Sequence, residues 1–340
     1  MKKLASGLVL LQSITILACS KVIRQAKVDD GVVISETAPV RNSTAQLALE
    51  VASMKKGEEV EILERKGSDW TRIRTQTNIV GWTESRHLVS RSMIERVNEM
   101  TEQTSWIPAQ ATGRLVSHAA LRVSPGRSSD RNVALYLPTG LNVEILTRER
   151  TLRMSDEIIP RQFTAQIGRG AAARRGSDPP VQYDFWYQVR LPETYLLRVG
   201  WIYSPFVELR IPPHLVNLQG DKVIVGWFEI DELDDEEAGL SHHYLTFERD
   251  RYRPVAGTDF DQVKLFIWDL HGHQYRSTWQ RVYGLLPVRR SLRGELPAFE
   301  MQTYNEKTGA LEHAVFTVDV RDVRRAQLLR VKEKVGTTRR

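Results

Sequence analysis

The sequence predicts an all-β protein in which two small barrels in tandem precede a C-terminal β-sandwich or open-barrel domain. A Gly-x-x-Val-Glu-Ile-Leu string occurs at 57–63 and again at 140–146, which indicates an internal repeat. Elsewhere, short runs rich in Val, Ile, Phe, Tyr and Trp alternate with turn residues. At 340 residues and 41% hydrophobic content, the chain is long enough for two or three domains with separate cores.

Residues 1–19 have the layout of a secretory signal peptide. A basic start precedes an apolar stretch from Leu4 to Leu17, which falls short of the roughly 18 residues that a membrane-spanning helix needs. The sequence Ile16-Leu17-Ala18-Cys19 resembles the lipobox of bacterial lipoproteins, which implies cleavage before Cys19 and lipidation of that cysteine. The chain is then expected to contact the membrane through an N-terminal lipid. The alternative is an ordinary secretory signal with a cysteine near its processing site.

Location and charge limit the expected partners. The lipobox resemblance implies a cell-envelope protein, and Ser20 favours the outer membrane facing the periplasm, because lipoproteins of the inner membrane tend to carry Asp there. The net charge of +6 suits contact with anionic lipid, polysaccharide or peptidoglycan. Nucleic acid is not an expected partner, because a secreted, lipidated protein does not normally meet any. Cys19 is the only cysteine, so a disulfide within the chain is excluded.

The repeat extends on both sides of the shared string. Further matches occur in the same order in both copies: Val40-Arg41 with Leu121-Arg122, Trp70 to Arg74 with Trp186 to Arg190, and Gly81-Trp82 with Gly200-Trp201. Four anchors in one order indicate a duplicated domain. In each copy the glycine permits a tight turn, and the alternating Val-x-Ile is typical of a half-buried strand.

This order of anchors resembles the bacterial SH3-like (SH3b) domain, which occurs in tandem in many envelope and cell-wall proteins. The resemblance covers residues 30–90 and 112–212. It implies two small barrels, with peptidoglycan or a peptide within it as the ligand. An envelope protein partner is the other binding hypothesis.

The second copy carries an insert between its glycine and tryptophan anchors. The segment near 147–183 is rich in arginine and shows little hydrophobic periodicity, so it is predicted to be a disordered basic loop. It is either a solvated insertion or an electrostatic arm for an acidic partner. Between the copies, residues 91–111 are predicted to form a helical linker, because Met93, Ile94, Val97 and Met100 follow a helical spacing.

The C-terminal third, residues 213–330, begins after Pro212 and does not contain the repeat. Six strands are predicted: Val223–Ile230, Tyr244–Glu248, Val263–Leu270, Tyr275–Tyr283, Phe299–Tyr304 and Ala314–Val320. Asn305 and Gly309 suit a hairpin turn between the last two. Residues 331–340 are predicted to form a solvated basic tail.

The sequence predicts no catalytic residue, no metal and no cofactor. Lipidation of Cys19 removes the thiol that a cysteine peptidase needs. Histidines and aspartates that are candidate metal ligands occur in the C-terminal domain: His242, His243, Asp259, Asp261, Asp269, His271 and His273. The neighbours His242 and His243 point to opposite faces of a strand, and Gly272 places the other two histidines in a turn. The acidic run 231–237 is predicted to be a solvated loop. A metal-dependent envelope hydrolase remains the alternative hypothesis.

Aromatic residues at matching positions of the two copies indicate binding. The tryptophan of each Gly-Trp pair either packs inside its barrel or contacts a ligand. The ligand-binding candidates are Trp82, Trp201, Tyr203 and Tyr187. The sequence therefore predicts a lipid-anchored envelope lipoprotein that acts as a non-catalytic binding or scaffolding module.

Overall fold

The computed structural model describes residues 25–127, 132–153, 183–320 and 326–331. The predicted signal peptide with Cys19, most of the predicted basic insert and nearly all of the basic tail lie outside these residues. The described residues form three antiparallel sheets of seven strands each. The predicted all-β class is therefore confirmed.

The first two sheets have the same strand order. The first contains β1 (Asp29–Val33), β2 (Thr37–Arg41), β3 (Glu50–Lys55), β4 (Glu59–Lys66), β5 (Trp70–Thr75), β6 (Val80–Glu84) and β7 (Leu88–Ser90). The second contains β8 (Ala111–Leu115), β9 (Ala119–Arg122), β10 (Val133–Leu137), β11 (Asn142–Leu152), β12 (Tyr183–Arg190), β13 (Val199–Tyr203) and β14 (Val207–Leu209). Their spatial orders, β3-β2-β6-β5-β4-β1-β7 and β10-β9-β13-β12-β11-β8-β14, correspond strand for strand. The duplication seen in the sequence thus extends to the topology.

The glycine anchors allow close contacts between strands. A Cβ atom at Gly81 would lie 2.5 Å from Val40 Cγ1 and 2.7 Å from the Arg41 carbonyl oxygen. At Gly200 it would lie 2.5 Å from Leu121 Cγ. The equivalent glycines in each copy therefore let β6 meet β2, and β13 meet β9, where no side chain fits.

The same ion pair also occurs in both sheets. The Arg74 guanidinium pairs with Glu61, and Arg190 Nη1 donates to Glu144 Oε2 at 2.9 Å. In both cases the arginine and the glutamate are cross-strand partners. Each arginine also donates to backbone carbonyls upstream of its sheet: Arg74 to Gln25, and Arg190 to Thr104 and Ile107.

A helix, α1 (Arg91–Gln103), connects the two sheets and lies within the predicted linker. Ser90 caps it by accepting a hydrogen bond from the Met93 N–H at 3.3 Å. The buried side chains of Val97 and Met100 belong to one apolar cluster that joins Val32 of β1 to the core of the second sheet. The helix therefore packs on the core of the second sheet and contacts the edge of the first sheet, whose own core is a separate cluster.

The C-terminal sheet is a meander whose strands follow their sequence order. It contains β15 (Lys222–Asp235), β16 (Gly239–Asp250), β17 (Phe260–Asp269), β18 (Gln274–Arg293), β19 (Leu296–Tyr304), β20 (Leu311–Asp319) and β21 (Gln327–Arg330), preceded by the single-turn helix α2 (Pro213–Val216). The sheet curls into a half-barrel. This curvature brings β15 close to β19, where the rings of Phe228 and Phe299 lie 5.5 Å apart. Arg290 of β18 also donates to the Glu229 carbonyl at 3.0 Å.

Four sequence expectations differ from this fold. The acidic run was predicted to be a solvated loop, but β15 continues to Asp235, whose carboxylate is held by the Trp268 indole N–H at 2.7 Å. The seventh strand, β21, was not predicted, and β18 extends well beyond Tyr283. The first residues of the predicted disordered insert are ordered, since Thr147 to Leu152 continue β11 and pair with β12. Contacts with the C-terminal sheet stabilise this extension, because Thr147 Oγ1 donates to the Leu286 carbonyl at 3.0 Å.

Candidate functional site

A groove of about 320 Å³ lies between helix α1 and the outer face of the second sheet. Its lining combines helix, loop and strand residues: Arg96, Glu99, Met100, Gln103, Val123, Gln188 and Trp201. The groove thus has apolar, amide and charged groups within reach of one ligand. Four of its seven lining residues are polar or charged, so the groove is more polar than most small-molecule sites.

Strand pairing places the key groove residues side by side. Gln188 of β12 and Trp201 of β13 are direct cross-strand partners. Trp186 and Tyr203 are the next pair on the same face, two residues further along each strand. Gly200 faces the opposite side, where Leu121 and Ile202 are buried. The Gly-Trp motif therefore directs Trp201 outward, and Trp201 is only half-buried.

Gln188 places an amide in the groove. The residue is only 6% exposed, and it is the cross-strand partner of Trp201. Its amide lines the groove and is not among the buried polar atoms of the described chain that have no hydrogen-bond partner. An amide both donates and accepts hydrogen bonds, so it can bond a water molecule or a ligand beside the Trp201 indole.

Tyr203 forms a closed aromatic cluster next to the groove. Its ring lies 5.4 Å from that of Trp186 and 5.6 Å from that of Phe206. The Arg127 guanidinium covers the Tyr203 ring at 3.7 Å, and the hydroxyl donates to Asp184 at 3.2 Å. The Tyr203 ring is therefore packed among its neighbours at the end of this sheet face, whereas the Trp201 ring lines the groove.

Tyr187 lies on the other face of β12 from Gln188. It pairs with the buried Ile202 and packs against the shared core. Burial raises the pKa of its phenol, and the nearby Arg148 and Arg249 partly offset this effect. The structure does not bring Tyr187 together with Trp201.

Trp82 occupies the position in the first sheet that corresponds to Trp201. It pairs with Arg72, which stands where the second sheet has Gln188. Arg72 and Lys66 approach the Trp82 ring at 6.0 Å and 5.9 Å from its centroid. This face is cationic, and no helix equivalent to α1 covers it within the described residues.

Sequence reasoning found Trp201 but missed the rest of the groove. Gln188 could have been found, because it follows Trp186 by two residues and strand alternation puts both on one face. The contribution of Arg96, Glu99 and Gln103 has no such signal, since it depends on where α1 packs.

The candidate metal ligands are mostly engaged with the protein itself. His273 Nδ1 lies 2.9 Å from both carboxylate oxygens of Asp235, and its Nε2 lies 3.5 Å from Glu237. Asp269 accepts a hydrogen bond from Arg276, and Asp261 accepts one from Lys222. Across the described ranges there is no group of three or more His, Cys, Asp or Glu that could hold a metal ion.

No protein-family model matches this chain, and no curated protein matches it. Among solved structures, NlpC2 from Trichomonas vaginalis is similar at 11% identity and a TM-score of 0.18, with 91% of this chain and 97% of that chain covered. NlpC1 from the same organism has the same identity and TM-score, with coverages of 94% and 97%. Likeness at this level carries no argument about fold or function. Within the described residues, no helix is both long and apolar enough to cross a membrane.

Proposed function

We propose that this protein is a lipid-anchored lipoprotein of the cell envelope that acts as a non-catalytic binding module for peptidoglycan. In this proposal Cys19 carries the lipid, the anchor lies in the outer membrane facing the periplasm, and two SH3-like domains hold the ligand. The observation that carries the proposal is the groove on the second sheet, where the half-buried Trp201 lies beside its cross-strand partner Gln188.

The chemistry of the groove suits a glycan or a short peptide. An indole ring can stack on a sugar ring or pack against a peptide backbone, and an amide can both donate and accept hydrogen bonds. Arg96 and Glu99 on the rim can pair with the carboxylates and amines that peptidoglycan peptides carry. The groove contains one carboxylate, Glu99, whereas glycoside hydrolysis normally uses a pair of carboxyl groups, which agrees with binding rather than bond cleavage.

The duplication supports the SH3-like assignment. Strand order, the Gly-Trp motif and the cross-strand Arg–Glu pair recur in both sheets. Two linked modules bind more tightly than one when both can engage the same polymer. Peptidoglycan is such a polymer, so both modules can bind it at once. A single protein partner would be bound through one contact with the same surfaces.

The test is co-sedimentation of the full chain with purified cell-wall sacculi, using Cys19→Ser so that no lipid drives sedimentation. The protein with an unsubstituted groove should sediment with the sacculi. Trp201→Ala should weaken binding by about tenfold or more, as expected for a central aromatic contact. Gln188→Leu should weaken it as well, while Trp106→Ala serves as the control because this exposed tryptophan lies outside the groove.

If the Cys19→Ser chain stays in the supernatant, wall binding is wrong. A protein captured specifically from solubilised membranes, and lost in Trp201→Ala, would then favour the protein-partner hypothesis. The metal-dependent hydrolase hypothesis predicts bound zinc in the purified protein and soluble fragments released from sacculi. Either of these results would overturn the non-catalytic proposal.

A further inference from the structure

The C-terminal sheet carries a second cleft, of about 430 Å³, on its outer face. It lies between β18 and the loop that joins β16 to β17. Two aromatic rings, three cationic side chains and two carboxylates line it. It shares no residue with the groove that contains Trp201.

The two carboxylates of the cleft are already satisfied by the protein. Lys222 Nζ donates to Asp261 Oδ1 at 3.0 Å and lies 3.5 Å from Asp250 Oδ2. The other oxygen of Asp261 accepts the backbone N–H of Asp250 at 2.9 Å. These contacts pair the lysine with both aspartates and form a fixed polar floor.

Asp250 also holds one wall of the cleft in place. Its Oδ1 accepts the backbone N–H groups of Tyr252 at 2.9 Å and Arg253 at 2.7 Å. The hydrogen bonds from these two N–H groups, followed by Lys222, keep the pKa of Asp250 below its ordinary value. The turn that presents Arg253 is therefore fixed before any ligand arrives, which lowers the entropy cost of binding.

Two guanidinium groups remain available in the cleft. Arg253 stands on the loop and Arg281 on β18, both are exposed, and neither forms an ion pair with another described residue. Lys222 and the two aspartates together leave one negative charge, so the two arginines give the cleft a net charge of +1. A guanidinium binds a carboxylate through two parallel hydrogen bonds.

An exposed tryptophan stands beside these charges. Trp279, Arg281 and Tyr283 alternate along β18, so their side chains share one face. Trp279 is 59% exposed although it lines a concave site. A flat ligand ring can stack on this indole, as sugar and aromatic rings do in other clefts.

We propose that this cleft binds an acidic sugar, whose ring stacks on Trp279 and whose carboxylate pairs with Arg253 and Arg281. The lone pairs and the Lys222 N–H that the contacts within the floor leave over then bond the sugar hydroxyls. The site gives the protein a second, charge-selective contact with anionic glycan, independent of the groove on the second sheet.

The experiment is a titration of the full chain carrying Cys19→Ser with glucuronate, followed by tryptophan fluorescence and NMR. A single acidic sugar should bind with a Kd on the order of 1 mM, as expected for a ligand of this size. Glucose, which has the same ring without the carboxylate, should bind about tenfold more weakly or not at all. Arg253→Gln/Arg281→Gln should abolish the preference for glucuronate, and Trp279→Ala should weaken both sugars.

Arg293→Gln is the matched control, because Arg293 is an exposed arginine on the same strand outside the cleft. All substituted side chains are exposed, so near-unchanged unfolding curves should show that the variants fold. Equal binding of glucuronate and glucose would overturn the charge assignment. Inorganic phosphate binding as tightly as glucuronate, with no effect of Trp279→Ala, would show a simple anion site and overturn the sugar assignment.

Discussion

The side chain of Gln110, the residue just before β8, forms two hydrogen bonds with the backbone of Val288 on β18 of the C-terminal sheet. Gln110 Nε2 donates to the Val288 carbonyl at 2.9 Å, and the Val288 N–H donates to Gln110 Oε1 at 2.7 Å. The backbone of Gln110 also accepts from the Trp227 N–H and donates to the Ile145 carbonyl, both at 2.7 Å. This one residue, fully buried, therefore joins the second sheet to the C-terminal half-barrel.

Replacing Gln110 by leucine should destabilise the protein strongly. The substitution removes three hydrogen bonds, since Gln110 Nε2 also donates to the Pro108 carbonyl at 2.8 Å. It leaves the N–H and carbonyl of Val288 buried without partners, at a cost of about 1–3 kcal/mol for each group. We expect a loss of about 2–5 kcal/mol in the free energy of unfolding, measured by urea denaturation. The exposed Gln46→Leu is the control and should change stability by less than about 0.5 kcal/mol. A similar small effect for Gln110→Leu would contradict the role of this contact.

Local patterns in the sequence predict much of the fold, but they do not predict the contacts between the sheets. Val60 and Ile62 alternate with polar residues, and the Gly-Trp anchors recur, so the sequence alone predicts the all-β class and the repeat. The link between Gln110 and Val288 joins positions far apart in the chain, and no local period reports it. The ordered start of the predicted insert has the same cause, because Thr147 is held by the distant Leu286.

The candidate site shows the same division. Trp201 is visible in the sequence because it repeats Trp82, and alternation along β12 implies the position of Gln188. The groove itself exists only because α1 packs against β13, and this packing depends on the apolar residues Val97 and Met100 meeting the core.

Arg190 is expected to hold the end of the linker as well as its own sheet. Its guanidinium pairs with Glu144 and donates to the Thr104 and Ile107 carbonyls, which lie just after α1. Arg190→Met should cost about 1.5–3 kcal/mol in the free energy of unfolding, since hydrogen bonds from a charged donor are lost. It should also weaken ligand binding in the groove, because the helix wall moves. Exposed Arg210→Met is the control for both readouts, and equal effects of the two variants would rule out this role.

Alanine at Gly81 or Gly200 should be poorly tolerated. A Cβ atom would meet Val40 and the Arg41 carbonyl in one sheet, and Leu121 in the other, at distances too short for contact. We expect a loss of about 1–3 kcal/mol for each variant in thermal or urea unfolding, as for overpacked cores. Gly309→Ala is the comparison, because a Cβ there meets nothing within 4 Å and only its φ of 67° is unfavourable. A larger loss for Gly309→Ala than for Gly81→Ala would contradict the steric explanation.

The pairing of His273 with Asp235 should make stability depend on pH. The hydrogen bond to Asp235 raises the pKa of His273, while the Ala238 N–H, followed by the Trp268 indole, holds the pKa of Asp235 far below its ordinary range. The histidine contribution is complete below its unfolded pKa of about 6.5 and is lost as the pH rises through its higher folded pKa. The aspartate contribution is present above its unfolded pKa of about 3.9 and is lost only as the pH falls towards its lower folded pKa.

The stability difference between the unsubstituted protein and His273→Gln should therefore be largest from about pH 4.5 to 6.5 and should shrink above that range. Urea unfolding at a series of pH values measures it. His271→Gln is the control, because this exposed histidine lies on the same turn and makes no side-chain contact with Asp235 in the described structure. A difference that grows steadily from pH 6 to pH 9 would have the wrong sign and would show that the protonated His273 does not stabilise the fold.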